Sequence, residues 1–230
     1  MNAASPGVLA LFQPNQHCPS DDAYLEALAR ALRHECHVIV DAGLTLQIDS
    51  PDLGLGRHMM YKDLDEAANL ARIEQRVEAL NFALVAIPGN CERMHVCSGS
   101  YEGPHHKDMP LATILPTVLK AKLQGLLFVT ANPRHGHEWS TIRDMRAQIP
   151  QDNVLIPDVL DTTTNFIEHP ELVTQRLQRF VDIVGTDRVI AGSDCGFGTF
   201  AGFGAVDDDI VYAKLASMAE SAACVAGSTG

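Results

Sequence analysis

Short apolar runs alternate with longer amphipathic stretches along the whole chain. The runs have the length of strands and cover residues 8–12, 44–49, 94–97, 126–130, 154–159 and 189–191. The longer stretches carry apolar residues at helical spacing and cover residues 21–42, 64–86, 111–122, 139–148, 170–184 and 208–225. The pattern therefore predicts six βα units in a row, an order typical of an α/β fold with parallel strands.

The strand runs are apolar throughout, which indicates a sheet covered by helices on both faces. Polar residues cluster directly after the runs, at the edge that carries the active site in both (β/α)8 barrels and doubly wound sheets. A dinucleotide-binding fold is the weaker choice because no Gly-x-Gly-x-x-Gly follows the first run. No linker, low-complexity tract or repeat divides the sequence, so we expect a single domain over residues 1–230.

Net charge, the length of the apolar stretches and the cysteine content limit the classes of function that this chain can have. The chain of 230 residues has a net charge of −12, which argues against a partner such as nucleic acid or an anionic membrane. No apolar stretch reaches the roughly 18 residues that span a bilayer, and the N-terminus lacks the pattern of a signal peptide. Six cysteines in such a chain indicate reduced thiols, so we expect a cytoplasmic protein.

Three soft metal ligands follow or end two of the apolar runs. His95 and Cys97 lie at positions i and i+2, which point to the same side of a strand. Cys195 follows the last run, from where it could bind the same ion. Three nitrogen and sulfur ligands with a fourth position open are typical of a catalytic zinc site. Asp194 is a candidate catalytic residue beside them, either orienting a ligand or capping the following turn.

Loop residues after other runs add candidates. His105 follows Gly103-Pro104, and an imidazole suits acid–base chemistry near neutral pH. Asn132, His135 and Asn165 follow the fourth and fifth runs, and we predict that they bind substrate. His135 also belongs to a segment rich in imidazole and carboxylate, residues 132–138, which could form a second metal site. We favour solvated loop residues that hold substrate or neighbouring loops.

Four strings of the sequence resemble the cobalamin-independent methionine synthases and their shorter relatives, which include zinc enzymes that alkylate coenzyme M. The strings are MHVCSGSYEGPHH (94–106), ANPRH (131–135), TTNFIEHPE (163–171) and GSDCGFGTF (192–200). The resemblance covers nearly the whole chain and is strongest for a bacterial and fungal branch of that family. It implies a (β/α)8 barrel and a function as a zinc-dependent S-methyl or S-alkyl transferase.

The resemblance also implies roles for individual residues. Zn²⁺ held by His95, Cys97 and Cys195 would bind a small thiol such as homocysteine as the thiolate. That thiolate would attack a methyl or alkyl donor, as in 5-methyltetrahydropteroyltriglutamate–homocysteine S-methyltransferase. Asp49 matches a carboxylate that contacts the amino group of the substrate, a favourable pairing of opposite charges.

The chain departs from the family at three points. Val129 occupies the position of a glutamate ligand, and Thr163 occupies that of the proton-donating histidine. The sequence starts at the third strand of the family barrel, which implies an N-terminally truncated barrel of about six βα units. Its open edges would favour pairing with a second copy or a paralogue. The alternative function is therefore a catalytically impaired homologue that acts as a subunit or accessory protein. A lyase or hydrolase that uses zinc-bound water is a third reading.

Overall fold

The computed structural model describes residues 1–198, 202 and 206–227. Its strands are β1 (Asn2–Ala4), β2 (Leu46–Asp49), β3 (Glu92–Val96), β4 (Gly125–Phe128), β5 (Val154–Leu160) and β6 (Gly192–Ser193). Its α-helices are α1 (Pro6–Phe12), α2 (Asp21–Asp41), α3 (Asp52–Met59), α4 (Glu66–Ala83), α5 (Leu111–Val118), α6 (Trp139–Asp144), α7 (Pro170–Val184) and α8 (Asp208–Gly227). Short 3-10 helices cover Gly89–Cys91, Arg146–Gln148 and Thr186–Arg188.

The strands of the six-stranded sheet are ordered as in the chain, β1-β2-β3-β4-β5-β6. With alternating helices and strands, this confirms the predicted α/β class. The chain divides into two compact units, which are described separately. Unit 1 consists of Met1–Ser98 and Lys107–Leu126, and unit 2 consists of Gly99–His106 and Leu127–Gly230. The single-domain organisation stays a prediction.

Unit 1 is built on three parallel strands. β1 pairs with β2, and β2 pairs with β3 in a register that sets Asp49 beside His95. In β3 the consecutive residues Met94, His95 and Val96 are all buried, as expected for a strand covered on both faces. The register matters for function because it brings a carboxylate and an imidazole to the same strand end.

Unit 2 joins β5 and β6 in parallel, with Asp158 opposite Gly192. β5 is buried along nearly its whole length, and α7 and α8 pack against it. The core of this packing contains residues from the strand and from both helices: Val159, Leu160, Val173, Leu177, Val181 and Val225.

A buried ion pair ties α8 to the segment before α7. Lys214 Nζ lies 2.9 Å from Glu168 Oε2 and donates to the Asp161 carbonyl at 3.0 Å. Ser217 and Ser221 on the same face of α8 donate to the carbonyls of Glu168 and Pro170. This polar stripe at helical spacing fixes the loop that follows β5.

The first predicted strand is wrong. Residues 8–12 belong to α1, because the Ser5 hydroxyl accepts the Val8 amide at 2.9 Å and Pro6 occupies the first helical turn. The actual strand, β1, lies just before it. The last strand also lies later than predicted: β6 is Gly192–Ser193, and Val189 makes one isolated bridge to Leu155.

The other predicted elements are found with shifts of a few residues at their ends, and helix 170–184 has the predicted bounds. The sequence pattern missed α3, whose two glycines and short length hide the helical spacing. Within the described residues, no helix has the combination of length and apolar composition needed to cross a bilayer.

Candidate metal-binding and catalytic residues

His95 is held by a carboxylate from the neighbouring strand. Asp49 Oδ1 lies 2.8 Å from His95 Nδ1, and the β2–β3 register is the cause of this pairing. The His95 side chain is buried, whereas the Asp49 side chain is 45% exposed. Metal-binding histidines usually donate their second ring nitrogen to such a carboxylate, which fixes the tautomer and the ring. The Asp49–His95 pair is therefore the kind of contact in which metal-binding histidines are usually found.

Cys97 follows β3 directly and is buried. Its backbone is approached closely by α3 at Gly54. A Cβ at this position would lie 2.5 Å from the Cys97 carbonyl oxygen, so only glycine allows α3 to pack here. In unit 1 the predicted ligands His95 and Cys97 thus occupy one strand end that is packed from one side by α3.

Unit 2 holds Cys195 by a local turn after β6. Asp194 Oδ1 accepts the Cys195 amide at 2.8 Å and lies 3.1 Å from its sulfur. Asp194 is buried and Cys195 is partly exposed. Asp194 thus contacts both the amide and the sulfur of Cys195, and its role beside a bound ion stays a prediction.

A second buried carboxyl lies near Asp194. Asp158 accepts the amides of Leu160 and Ala131, at 2.9 and 3.2 Å. Burial raises the pKa of Asp158, and the negative charge of Asp194 raises it further. Burial and the neighbouring charge of Asp194 therefore favour the protonated, neutral form of Asp158 at this strand end.

The loop after β4 is less solvated than predicted. His135 and Glu138 are buried, with His135 Nδ1 2.9 Å from Glu138 Oε2. Asn132 Oδ1 accepts the Arg134 amide at 2.9 Å, which forms a tight turn. The prediction of solvated residues fails for His135 and Glu138 because the turn at Asn132 folds them inward, and it holds for the exposed Arg134.

His105 is buried, while its neighbour His106 is exposed. Its backbone has φ 47°, a left-handed conformation that costs free energy in a non-glycine residue. The His105 ring stacks on Tyr101, with ring centroids 4.2 Å apart, and Nε2 contacts the Tyr101 carbonyl at 3.0 Å. The rings of His105 and His135 meet edge to face, with their centroids 6.1 Å apart.

The loop between β5 and α7 holds the remaining candidates. Asn165 is exposed, and the Thr163 amide and hydroxyl both donate to Asp161 Oδ1, at 2.9 and 2.7 Å. The ion pair of Glu168 and Lys214 below this loop was missed in the sequence. The polar residues 214, 217 and 221 at helical spacing on α8 were the available signal.

Thr199 and Phe200 of the fourth string lie outside the described residues. The role of each predicted site residue in substrate binding or catalysis stays a prediction. The structure adds two local pairs, Asp49 with His95 and Asp194 with Cys195, each of which joins a predicted ligand to a carboxylate.

The comparisons with known proteins bear on the fold. No protein-family model and no curated protein matches the chain. Among solved structures, the chain is similar to a B12-independent methionine synthase from Shewanella sp. W3-18-1 in complex with selenomethionine. That match has a TM-score of 0.73 and 16% sequence identity, and it covers 99% of this chain and 62% of the other. The chain therefore has a barrel-type α/β fold like that of the methionine synthase, and it spans about three fifths of the length of that protein.

Proposed function

We propose that the protein is a zinc-dependent S-methyl or S-alkyl transferase that acts on a small thiol of the homocysteine type. One Zn²⁺ would be held by His95, Cys97 and Cys195. The single observation that carries the proposal is the Asp49–His95 contact of 2.8 Å, a carboxylate–histidine pair two residues before a buried cysteine. One imidazole and two thiolates are a donor set that zinc binds well.

When bound, zinc keeps a thiol deprotonated at neutral pH, whereas a free thiol with a pKa of about 8.5 is mostly protonated. The protein's own residues then have to position the thiol. Asp49 is half-exposed and can orient His95 with one oxygen while its charge attracts a substrate ammonium group. Asp194 holds the Cys195 backbone and sulfur in place.

Asn132, His135 and Asn165 are proposed to bind the substrate, and His105 is proposed to move a proton. Because the Asn132 oxygen accepts the Arg134 amide, the Asn132 side chain would use its NH₂ group. The similarity to a methionine synthase supports a place in methionine formation, and the donor would be a methyl carrier of the folate type. Homocysteine and this donor are the proposed partners of the site.

The experiment is a zinc measurement combined with methionine formation from homocysteine and 5-methyltetrahydropteroyltriglutamate. We expect one zinc per chain in protein purified without chelator. Cys97→Ser and Cys195→Ser should each lose the ion and the activity. Cys91→Ser and Cys224→Ser are matched controls, because Cys91 lies before the start of β3 and Cys224 is exposed on α8, and neither belongs to the proposed ligand set. Zinc that persists unchanged in both ligand variants would refute the site.

The second candidate is an accessory subunit that has lost the full activity. It is favoured by Thr163, which stands where the family has a proton-donating histidine and whose hydroxyl donates to Asp161. The partner would be a second copy or a longer paralogue. Light scattering with and without such a paralogue separates the two functions. A zinc-loaded monomer that converts homocysteine alone excludes the accessory role.

A further inference from the structure

Unit 2 brings together two buried imidazoles, His105 and His135, and a buried carboxylate, Glu138, that contacts His135. The two rings meet edge to face at 80°, with centroids 6.1 Å apart. Each histidine offers a ligand nitrogen within 4.8 Å of that of the other. Two nitrogens on one tetrahedral zinc ion are about 3.4 Å apart, so a small movement brings both onto one ion.

Each ring already has one nitrogen engaged by an acceptor. Nδ1 of His135 lies 2.9 Å from the Glu138 carboxylate, and Nε2 of His105 lies 3.0 Å from the Tyr101 carbonyl. Metal-binding histidines show this arrangement, because a carboxylate or carbonyl on one nitrogen directs the other toward the ion. The coordinating atoms would be Nε2 of His135 and Nδ1 of His105.

The backbone supports a functional reason for this cluster. His105 adopts φ 47°, and Tyr101 stacks on its ring at 4.2 Å. Left-handed backbone at a non-glycine residue costs free energy and is concentrated at functional sites. At His105 it accompanies a buried imidazole whose ring meets that of His135 edge to face.

We propose that His105 and His135 bind a divalent transition-metal cation of the zinc, nickel or copper type, with the Glu138 carboxylate balancing its charge. The ligand atoms of this site are nitrogens, whereas the site proposed at His95, Cys97 and Cys195 has two thiolates, so the two sites differ in their chemistry. Water or an anionic group of a ligand would complete the coordination. The site does not require the zinc held by His95, Cys97 and Cys195, and it gives His105 and His135 the role of metal ligands in place of the proton and substrate roles proposed above.

The test uses the full chain with Cys97→Ser and Cys195→Ser combined, which removes the thiolates of the first site. Zn²⁺ is titrated by calorimetry into this variant and into versions that also carry His105→Gln or His135→Gln. The matched controls are His106→Gln and His137→Gln, whose side chains are exposed neighbours in the same segments. Circular dichroism checks that each variant is folded.

The double cysteine variant should bind one Zn²⁺, and each buried-histidine change should weaken this binding at least about tenfold. The two exposed-histidine controls should leave it unchanged. Absence of binding in the folded double variant, or equal losses in the exposed controls, would overturn the proposal. If the double variant does not fold, the intact chain is measured instead. It should hold two zinc ions and lose one in His135→Gln, and a count of one in both proteins would contradict the site.

Discussion

The two units hold their buried polar side chains in different ways. Unit 1 holds His95 through a carboxylate on the adjacent strand, and at the other end of β3 it buries Glu92 with no hydrogen-bond partner for either oxygen among the described residues. Unit 2 holds Cys195 through its own neighbour in sequence and pairs its buried Glu168 with Lys214.

The difference shows which side-chain contacts depend on strand register and which depend on a local turn. The Asp49–His95 pair joins residues 46 positions apart, whereas Asp194 and Cys195 are adjacent. A buried charge that is paired and hydrogen-bonded is tolerated, and an unpaired buried carboxyl shifts its pKa toward the neutral form. Unit 2 satisfies its buried glutamate, while unit 1 keeps Glu92 buried at the cost of a raised pKa.

The largest effect is expected when the ion pair of unit 2 is broken. Lys214→Ala leaves Glu168 buried without its charged partner, so we expect a loss of about 3 to 5 kcal/mol in the free energy of unfolding, measured in urea. Lys120→Ala is the control, because its contact with Glu74 is exposed, and it should cost about 0 to 1 kcal/mol. Equal losses in the two variants would show that the buried pair does not hold unit 2.

The next effect concerns Glu92 of unit 1. Burial raises the pKa of Glu92 from its ordinary 4.5 to about 8. Between these values the folded chain keeps a proton that the unfolded chain has released, so stability falls as the pH rises from about 4.5 to 8. Glu92→Gln cannot ionise, and we expect its advantage in urea midpoint over the wild type to grow across this range.

Glu78→Gln is the matched control for this pH series, because Glu78 is an exposed residue of the same unit. Its urea midpoint should follow that of the wild type at every pH. An advantage of Glu92→Gln that stays constant from pH 5 to 8 would contradict the raised pKa.

A smaller effect is expected when the two ligand-holding carboxylates are changed. Asp49→Asn and Asp194→Asn should each weaken zinc binding by about 10- to 100-fold, because each carboxylate orients a proposed ligand. Competition with a chromogenic chelator measures this loss. Asp144→Asn, an exposed aspartate, is the control. If only one of the two changes weakens zinc binding, the other carboxylate does not orient a ligand of the ion.

The sequence predicted the α/β class and most elements, because strand and helix periodicity is local. It placed a strand at residues 8–12 because an apolar run of five does not distinguish a strand from a short helix. The capping by Ser5 and the proline after it were the deciding signals. The last strand was predicted a few residues too early because Gly192 and Ser193 have weak strand propensity.

The candidate site could be predicted as residue types but not as contacts. His95, Cys97 and Cys195 were recognised from their chemistry and their place after apolar runs. The pairing of Asp49 with His95 depends on strand register, which no local pattern specifies. The burial of His135 and the partner of Glu168 depend on packing between distant segments.

The proposed function requires that one ion bind the thiolates of Cys97 and Cys195. Cobalt(II) substitution tests this directly, because sulfur-to-cobalt charge-transfer absorption reports the number of thiolates bound. The wild-type chain should take up cobalt with a strong band. Cys97→Ser and Cys195→Ser, which lose the ion on purification, should each show about half of the band per bound ion when cobalt is added in excess. A band that is unchanged in either variant would contradict a site shared by Cys97 and Cys195.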